Sequence, residues 1–276
     1  MIPDSIRQQI DEAYALSPEQ ISQFQQDGFI HLKDVFSREV IEFFEPHITR
    51  TTIENDPSAG LDLDDKTLYG KAFIQVGNLW QHDDIVREFT MGKRLARLGA
   101  ELMEVAGIRL YHDQSLYKEP SGGFTPWHVD QQYWPMDSGK SVTAWIPLQD
   151  TPMEMGPLCF GKGSHLKHIA RDLEISEESE RVIREAIGKE KIVEIQEPYS
   201  LGDVSFHFGW TLHRAGGNST EKPRRVHTVI YMDEQMRLKA KRSRNQENDR
   251  ISWCGETQDG ELIDGPLTPT LYSTRG

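Results

Sequence analysis

A histidine and an aspartate stand two positions apart in Pro126-Trp127-His128-Val129-Asp130-Gln131, and residue types with that spacing suit metal chemistry. On a strand, residues i and i+2 face the same way, so His128 and Asp130 would form a two-pronged grip. The pattern alone is weak, because His82-Asp83-Asp84 repeats it. That copy follows Trp80-Gln81 and precedes an expected helix, where residues two apart diverge, and it reads as a solvated turn. A third ligand must come from elsewhere, and the run from Gly202 to His213 offers His207 and His213. His207 shares its alternation with Asp203 and His213 and could also face inward. His213 is preferred because it ends the run just before Arg214-Ala215-Gly216-Gly217-Asn218, whose composition should reverse the chain. Antiparallel pairing after that turn would return Arg224 close to His213. Two histidines and a carboxylate leave half an octahedron open, the arrangement in which non-haem iron binds a cosubstrate and oxygen together. An arginine fork suits the far carboxylate of a dicarboxylic acid. Of the adjacent pair Arg224 and Arg225, Arg224 alternates with the mostly apolar Val226, Thr228 and Ile230 and is the one expected to point inward.

Such a site needs a rigid β framework, and from about Ile108 the sequence supplies one. Short runs separated by Gly, Pro and Asn are expected as strands at Arg109 to Lys118, Trp127 to Gln131, Val142 to Leu148, Leu158 to Phe160, Lys191 to Ile195, Val204 to Phe208 and Val226 to Met232. The charged segment from Ile175 to Lys189 carries Val182, Ile183, Ala186 and Ile187 at helical spacing and is expected as an inserted surface helix. The first third is expected to be mainly helical. Ser17-Pro18-Glu19-Gln20 has capping-box spacing, with Gly28 as the stop before Phe29-Ile30-His31-Leu32. A second helix should start after Ser37 with Pro46 near its end, and a third should carry the stripe Leu95, Leu98, Leu102 and Val105, closed by Gly107. The whole is expected to form a single domain over residues 1–276. Residues 1–107 would be a helical buttress, 108–233 a core with a helical insert at about 171–190, and 234–276 a C-terminal extension.

The bulk composition narrows the function classes. With 31 Lys and Arg against 44 Asp and Glu, the formal charge of -13 leaves no broad basic surface for nucleic acid. Two distant cysteines, Cys159 and Cys254, cannot build a disulfide framework, which fits a reducing compartment. The first residues lack the pattern of a signal peptide and no apolar stretch reaches the ~20 residues needed to span a bilayer. The expectation is a cytoplasmic protein with a small-molecule substrate and no nucleic-acid or membrane partner.

Several motifs in order make the chain resemble the phytanoyl-CoA dioxygenase family. They are Pro126-Trp127-His128-Val129-Asp130, Val142-Thr143-Ala144-Trp145-Ile146-Pro147-Leu148, Gly156-Pro157-Leu158 with Gly163-Ser164-His165, and Gly202-Asp203 through His213 to Arg224. Gln20 to Leu32 is similar to the family's opening helix and strand. The resemblance implies a double-stranded β-helix of jelly-roll, cupin-like type buttressed by N-terminal helices. It implies Fe(II) held by His128, Asp130 and His213, 2-oxoglutarate as cosubstrate with its C5 carboxylate on Arg224, and O2 as oxidant. Trp145 falls where relatives line the cosubstrate pocket, though it serves equally well as core. Gln114 and Gln75 lie near positions that in relatives reach 2-oxoglutarate, and an edge glutamine is the plainer alternative. Where some relatives carry a small hydroxyl two residues after the distal histidine, Ala215 stands here. His165, in the Gly-Ser-His turn, is expected to shape the fold.

The implied activity is a non-haem iron dioxygenase or hydroxylase that oxidises an unactivated C–H bond while releasing succinate and carbon dioxide. Phe124, Gln131, Tyr133 and Trp134 flank the metal strand and are candidates for a substrate wall, with the inserted helix as a lid. A zinc-dependent, non-oxidative enzyme could use the same ligands without needing Arg224. A silent jelly roll that binds a small acid is the third alternative.

Overall fold

The computed structural model describes residues 1–59, 74–169 and 171–275. The N-terminal part supplies α1 (Asp4–Asp11), α2 (Pro18–Asp27), β1 (Phe29–Leu32), α3 (Arg38–Glu54), β2 (Ile74–Gly77), α4 (Asp84–Thr90) and α5 (Lys93–Met103). There follow β3 (Gly107–Tyr117), β4 (Thr125–His128), β5 (Ser141–Pro147), β6 (Leu158–Gly161) and α6 (Glu177–Glu190). The chain closes with β7 (Glu194–Gln196), β8 (Val204–Phe208), β9 (His213–Ala215), β10 (Val226–Asp233), α7 (Arg244–Trp253) and β11 (Thr270–Ser273).

The strands form two antiparallel sheets. The larger runs β1-β8-β5-β10-β3-β11, with β2 also on β3, and the smaller runs β4-β9-β6-β7. Strands distant in sequence lie side by side, which is the double-stranded β-helix. The main core lies between the larger sheet and the N-terminal helices, where Phe24, Ile41, Phe44, Phe89, Leu98 and Leu102 meet Val142, Phe206 and Tyr231. This layer holds β5, β8 and β10 rigid from behind and leaves their other face free to build a site. Among the described residues no helix is long and apolar enough to cross a membrane.

Local chemistry sets most boundaries. Ser17 and Gln20 close a reciprocal capping box at α2, and Gly28 ends it at φ 84°, a left-handed conformation that favours glycine. Other expectations are corrected. α3 continues through Pro46 to Glu54, because burial of Phe44, Ile48, Thr51 and Thr52 outweighs the hydrogen bond that proline removes. α5 stops at Glu104, itself left-handed at φ 54°, so Val105 lies beyond the helix. Gly107 instead begins β3, where an added Cβ would come 2.3 Å from Glu234 Oε2. Lys191 caps α6 rather than opening a strand, and β7 starts three residues later.

Candidate metal centre

The histidines come together through sheet register. β4 pairs with β9 so that His128 lies directly opposite His213, their ring centroids 4.1 Å apart. Asp130 arrives differently from the shared strand face expected. β4 ends at His128, Val129 remains extended, and Asp130 opens a short 3-10 turn over Asp130–Gln132. Its Oδ1 lies 3.6 Å from His128 Nε2 and 3.5 Å from His213 Nε2. The three residues offer one ligand atom each within 4.8 Å of one another.

The surrounding bonds fix what those atoms present. His128 Nδ1 lies 2.7 Å from Pro126 O and His213 Nδ1 lies 3.0 Å from Thr211 O, so each ring donates from Nδ1 to a carbonyl and turns an Nε2 lone pair to the centre. Burial lowers the pKa of both rings, most strongly for His213, where the adjacent His128 adds to the effect. Burial alone would raise the Asp130 pKa, but His213, His207 and His128 together hold it well below the usual carboxylate range. Two neutral imidazoles and one carboxylate converge, a donor set that fits a divalent transition metal with open coordination positions.

His207, on β8, is part of this arrangement. Its Nε2 lies 3.2 Å from Asp130 Oδ2, and Thr143 Oγ1 on β5 donates to the same oxygen at 3.2 Å. Oδ2 is thus held by the larger sheet while Oδ1 faces the two histidines. The parity of the Gly202 to His213 run carried the signal for His207. Nothing comparable marked Thr143.

Arg224 borders the same inner pocket, together with Trp145, Leu158, Ala215 and Thr228. It does not return by a hairpin. β9 belongs to the smaller sheet and β10 pairs with β3 and β5, so residues 216–223 cross between sheets. Arg224 is only 2 % exposed and sits 5.6 Å from the centre of the Trp145 ring. Its Nη1 donates to Gly156 O at 2.5 Å, while Nε is buried with no partner, and no carboxylate among the described residues pairs with it. Burial pushes its pKa down to about 10. This is a cradle for an anion. Gly156, at φ 67°, must be glycine, since a Cβ there would meet Gly216 O at 2.3 Å. Arg225 points away and pairs with Glu45.

Lys118 escaped the sequence analysis. Fully buried, its Nζ donates to Gly123 O at 2.5 Å and Gly216 O at 2.9 Å, and burial beside Arg224 lowers its pKa to about 6. It ties together the loops on both sides of the β4–β9 pair.

His128, Asp130 and Gln114 also line a wider outer cleft of about 390 Å³. Gln75 Nε2 donates to Gln114 Oε1 at 2.5 Å, and both side chains border this cleft, as do Tyr133 and Trp134. Phe124 and Gln131 do not. Phe124 is 54 % exposed, and Gln131 is buried, bonded to Ser138 O and Ser141 Oγ, so its amide serves the turn. The inserted helix is not a free lid either. Ile183 and Ile187 of α6 pack on Trp127, Val129, Cys159 and Leu212, and Glu180 accepts from Trp127 N at 2.6 Å. Only the lead-in residues Glu174 and Ile175 reach the cleft. α7 contributes Asn245, Asp249 and Trp253 to it, a role hidden in sequence because that helix is polar nearly all round. His82 is exposed in its turn, and His165 lies 3.1 Å from Gln25 O, far from the centre in role.

Comparison with known proteins gives consistent findings. A family model described as phytanoyl-CoA dioxygenase matches residues 24–226. The chain is 28% identical over 139 residues to phytanoyl-CoA dioxygenase domain-containing protein 1 of Danio rerio, covering 48% of each chain. It is 22% identical over 267 residues to the Mus musculus protein of that name, covering 79% of this chain and 90% of the other. The chain thus spans about half the length of the first relative and most of the second. Among solved structures it is similar to SnoK, a non-heme α-ketoglutarate-dependent carbocyclase from nogalamycin biosynthesis (24% identity, TM-score 0.75, 92% of this chain and 96% of that one). It is also similar to EctD from S. alaskensis, solved with 2-oxoglutarate and 5-hydroxyectoine (21% identity, TM-score 0.67, 93% and 92% coverage).

Proposed function

The chain belongs to the phytanoyl-CoA dioxygenase family, and from that membership we propose that it is an Fe(II)- and 2-oxoglutarate-dependent oxygenase that hydroxylates an unactivated C–H bond of a small molecule. The observation that carries this reading is the pairing of the His128, Asp130 and His213 donor set with a buried Arg224 that no carboxylate among the described residues neutralises, across one pocket. A zinc hydrolase would have no use for that arginine. A silent acid-binding protein would have no use for three converging donors.

In this mechanism His128 and His213 would hold iron through Nε2, each ring oriented by its Nδ1 bond to a backbone carbonyl. Asp130 would complete the set through Oδ1, with His207 and Thr143 steadying Oδ2 and so fixing the direction of the carboxylate. Arg224 would take the C5 carboxylate of 2-oxoglutarate, its planar donors matching both oxygens. Trp145 and Leu158 would exclude water from the cosubstrate. Gln114, which borders both cavities, would separate cosubstrate from substrate. When bound, iron with 2-oxoglutarate and O2 supplies an oxidant able to take hydrogen from an unactivated carbon, with succinate and carbon dioxide released. The chain's part is to present one C–H bond from the outer cleft and keep water out.

Anaerobic addition of Fe(II) and then 2-oxoglutarate tests the reading. A weak visible charge-transfer band should form with the native chain and with His82→Ala, and be lost in His128→Ala and His213→Ala. A band that survives His128→Ala but not His82→Ala would mean that the wrong His-x-Asp pair has been assigned.

A further inference from the structure

Three features of the outer cleft point to the same kind of substrate. The first is charge. Among the described residues that line it, Glu174 and Asp249 are acidic beside Asp130, and none is lysine or arginine. The second is an acid left unpaired. Tyr111 Oη donates to Asp249 Oδ2 at 2.9 Å and Trp253 also bonds this carboxyl, while burial raises its pKa to about 7. No lysine or arginine among the described residues pairs with it, and an ammonium beside it would hold it ionised. Basic residues are close at hand: on α7 Arg250 binds Glu247, and before it Arg242 binds Glu247 and Asp259. The third is His112, which is 6 % exposed and lines the cleft. Its Nδ1 lies 3.4 Å from Asp113 O and donates there, and burial pushes its pKa down to about 4. Nε2 is left as an acceptor with no partner among the described residues.

An acid without a cation and an imidazole nitrogen without a donor ask for a ligand that donates. The aromatic walls add a shape. Trp253 lies 4.9 Å from His112 in a stacked pair inclined by 25°, and Trp134 and Tyr133 also line the cleft. Indole and phenol faces suit a ring and favour a cation beside it. The volume of about 390 Å³ suits a compact molecule. A nucleotide-bearing acyl thioester, with several phosphate charges, finds no lysine or arginine among the described residues of these walls.

Resting on the oxygenase reading, we infer that the primary substrate is a compact ring-bearing amine whose ammonium group binds Asp249, with His112 accepting a second donor and Trp253 covering the ring. Asp249 and Trp253 are then substrate-positioning residues of the C-terminal helix. Binding sets which carbon of the ring system reaches the metal.

The test is a tryptophan-fluorescence titration of the full chain with three matched probes, tyramine, tyrosol and 4-hydroxyphenylacetate, which share a ring and differ in the charge at the end. Tyramine should bind about tenfold more tightly than tyrosol, the size of one charge-assisted contact, and 4-hydroxyphenylacetate should bind most weakly. Asp249→Asn, which keeps an oxygen to accept from Tyr111, should erase the preference of tyramine over tyrosol. Glu174→Gln, at the exposed rim, should reduce that preference only in part and serves should the first variant fold poorly. The inference is overturned if 4-hydroxyphenylacetate binds as well as tyramine, if tyramine fails to bind at millimolar concentration, or if both variants keep the native preference. The titration needs no iron, so its failure is separate from failure of the charge-transfer band.

Discussion

Burying Arg224 with no carboxylate partner among the described residues is costly, and the arrival of an anion should recover that cost. Arg224→Ala should therefore raise the KM for 2-oxoglutarate at least tenfold and remove the thermal stabilisation that 2-oxoglutarate gives, with iron affinity nearly unchanged. Arg225→Ala, whose partner is Glu45 on the outer side, should do neither; thermal-shift and turnover measurements on the two variants compare them directly. A second residue-scale expectation concerns pH. Burial drives the pKa of His227 down to about 3, where Thr90 Oγ1 is 3.1 Å from its Nε2 and Asp113 Oδ2 is 3.7 Å away. Unfolded, the ring returns toward 6.5, so its contribution is present above pH 6.5 and is lost as pH falls toward 3. Asp113, raised by burial to about 7, works the other way, favouring the folded chain at low pH and losing that contribution as pH rises through 7. In urea unfolding, His227→Gln should gain stability relative to the native chain as pH falls from 6.5 to 5; an unchanged difference would contradict the sign. At this scale the sequence was most legible where alternation decides direction, as for Arg224 against Arg225 and for His207. It was least legible for Lys118 and Thr143, whose positions depend on contacts between distant strands.

At the scale of elements, α6 illustrates what a charge pattern hides. Its helical spacing and exposed acidic and basic residues were legible, but a solvated face says nothing of what the other face meets. Because Ile183 and Ile187 are buried on β4 and its neighbours, α6 is a support for the metal strand. Ile183→Ala should cost about 2–4 kcal/mol in stability and also weaken Fe(II) binding in an anaerobic titration. A movable flap would instead give a changed substrate KM with unchanged stability. β4 teaches a related lesson. Its spacing singled out two residues that the structure does bring together, but for a reason that holds only to His128, since the chain leaves the strand before Asp130 and a turn brings it in.

Across the whole molecule, the helical layer behind the larger sheet was expected and observed, whereas the partners of each strand were not readable, because alternation fixes faces and leaves neighbours open. This is why the return of Arg224 was assigned to a hairpin when residues 216–223 in fact cross between sheets. The N-terminal layer carries its own expectation. Ile2, Ile6 and Ile10 are buried in the core between the N-terminal helices and the larger sheet, and α1 packs on α3 and α5. Ile10→Ala should lower stability by about 2–5 kcal/mol, much as Ile183→Ala does, yet leave Fe(II) affinity unchanged. The crossing segment has a further consequence. The three metal donors stand on the smaller sheet or its adjoining turn, while Arg224 leads into a strand of the larger one. On the proposed function, a dicarboxylate gripped at both ends would act as a gauge block between two plates whose spacing, about 10 Å in packed sheets, is fixed by everything behind them. Length becomes the selected property: 2-oxoadipate, one methylene longer, and oxaloacetate, one shorter, should each raise the thermal midpoint less than 2-oxoglutarate does.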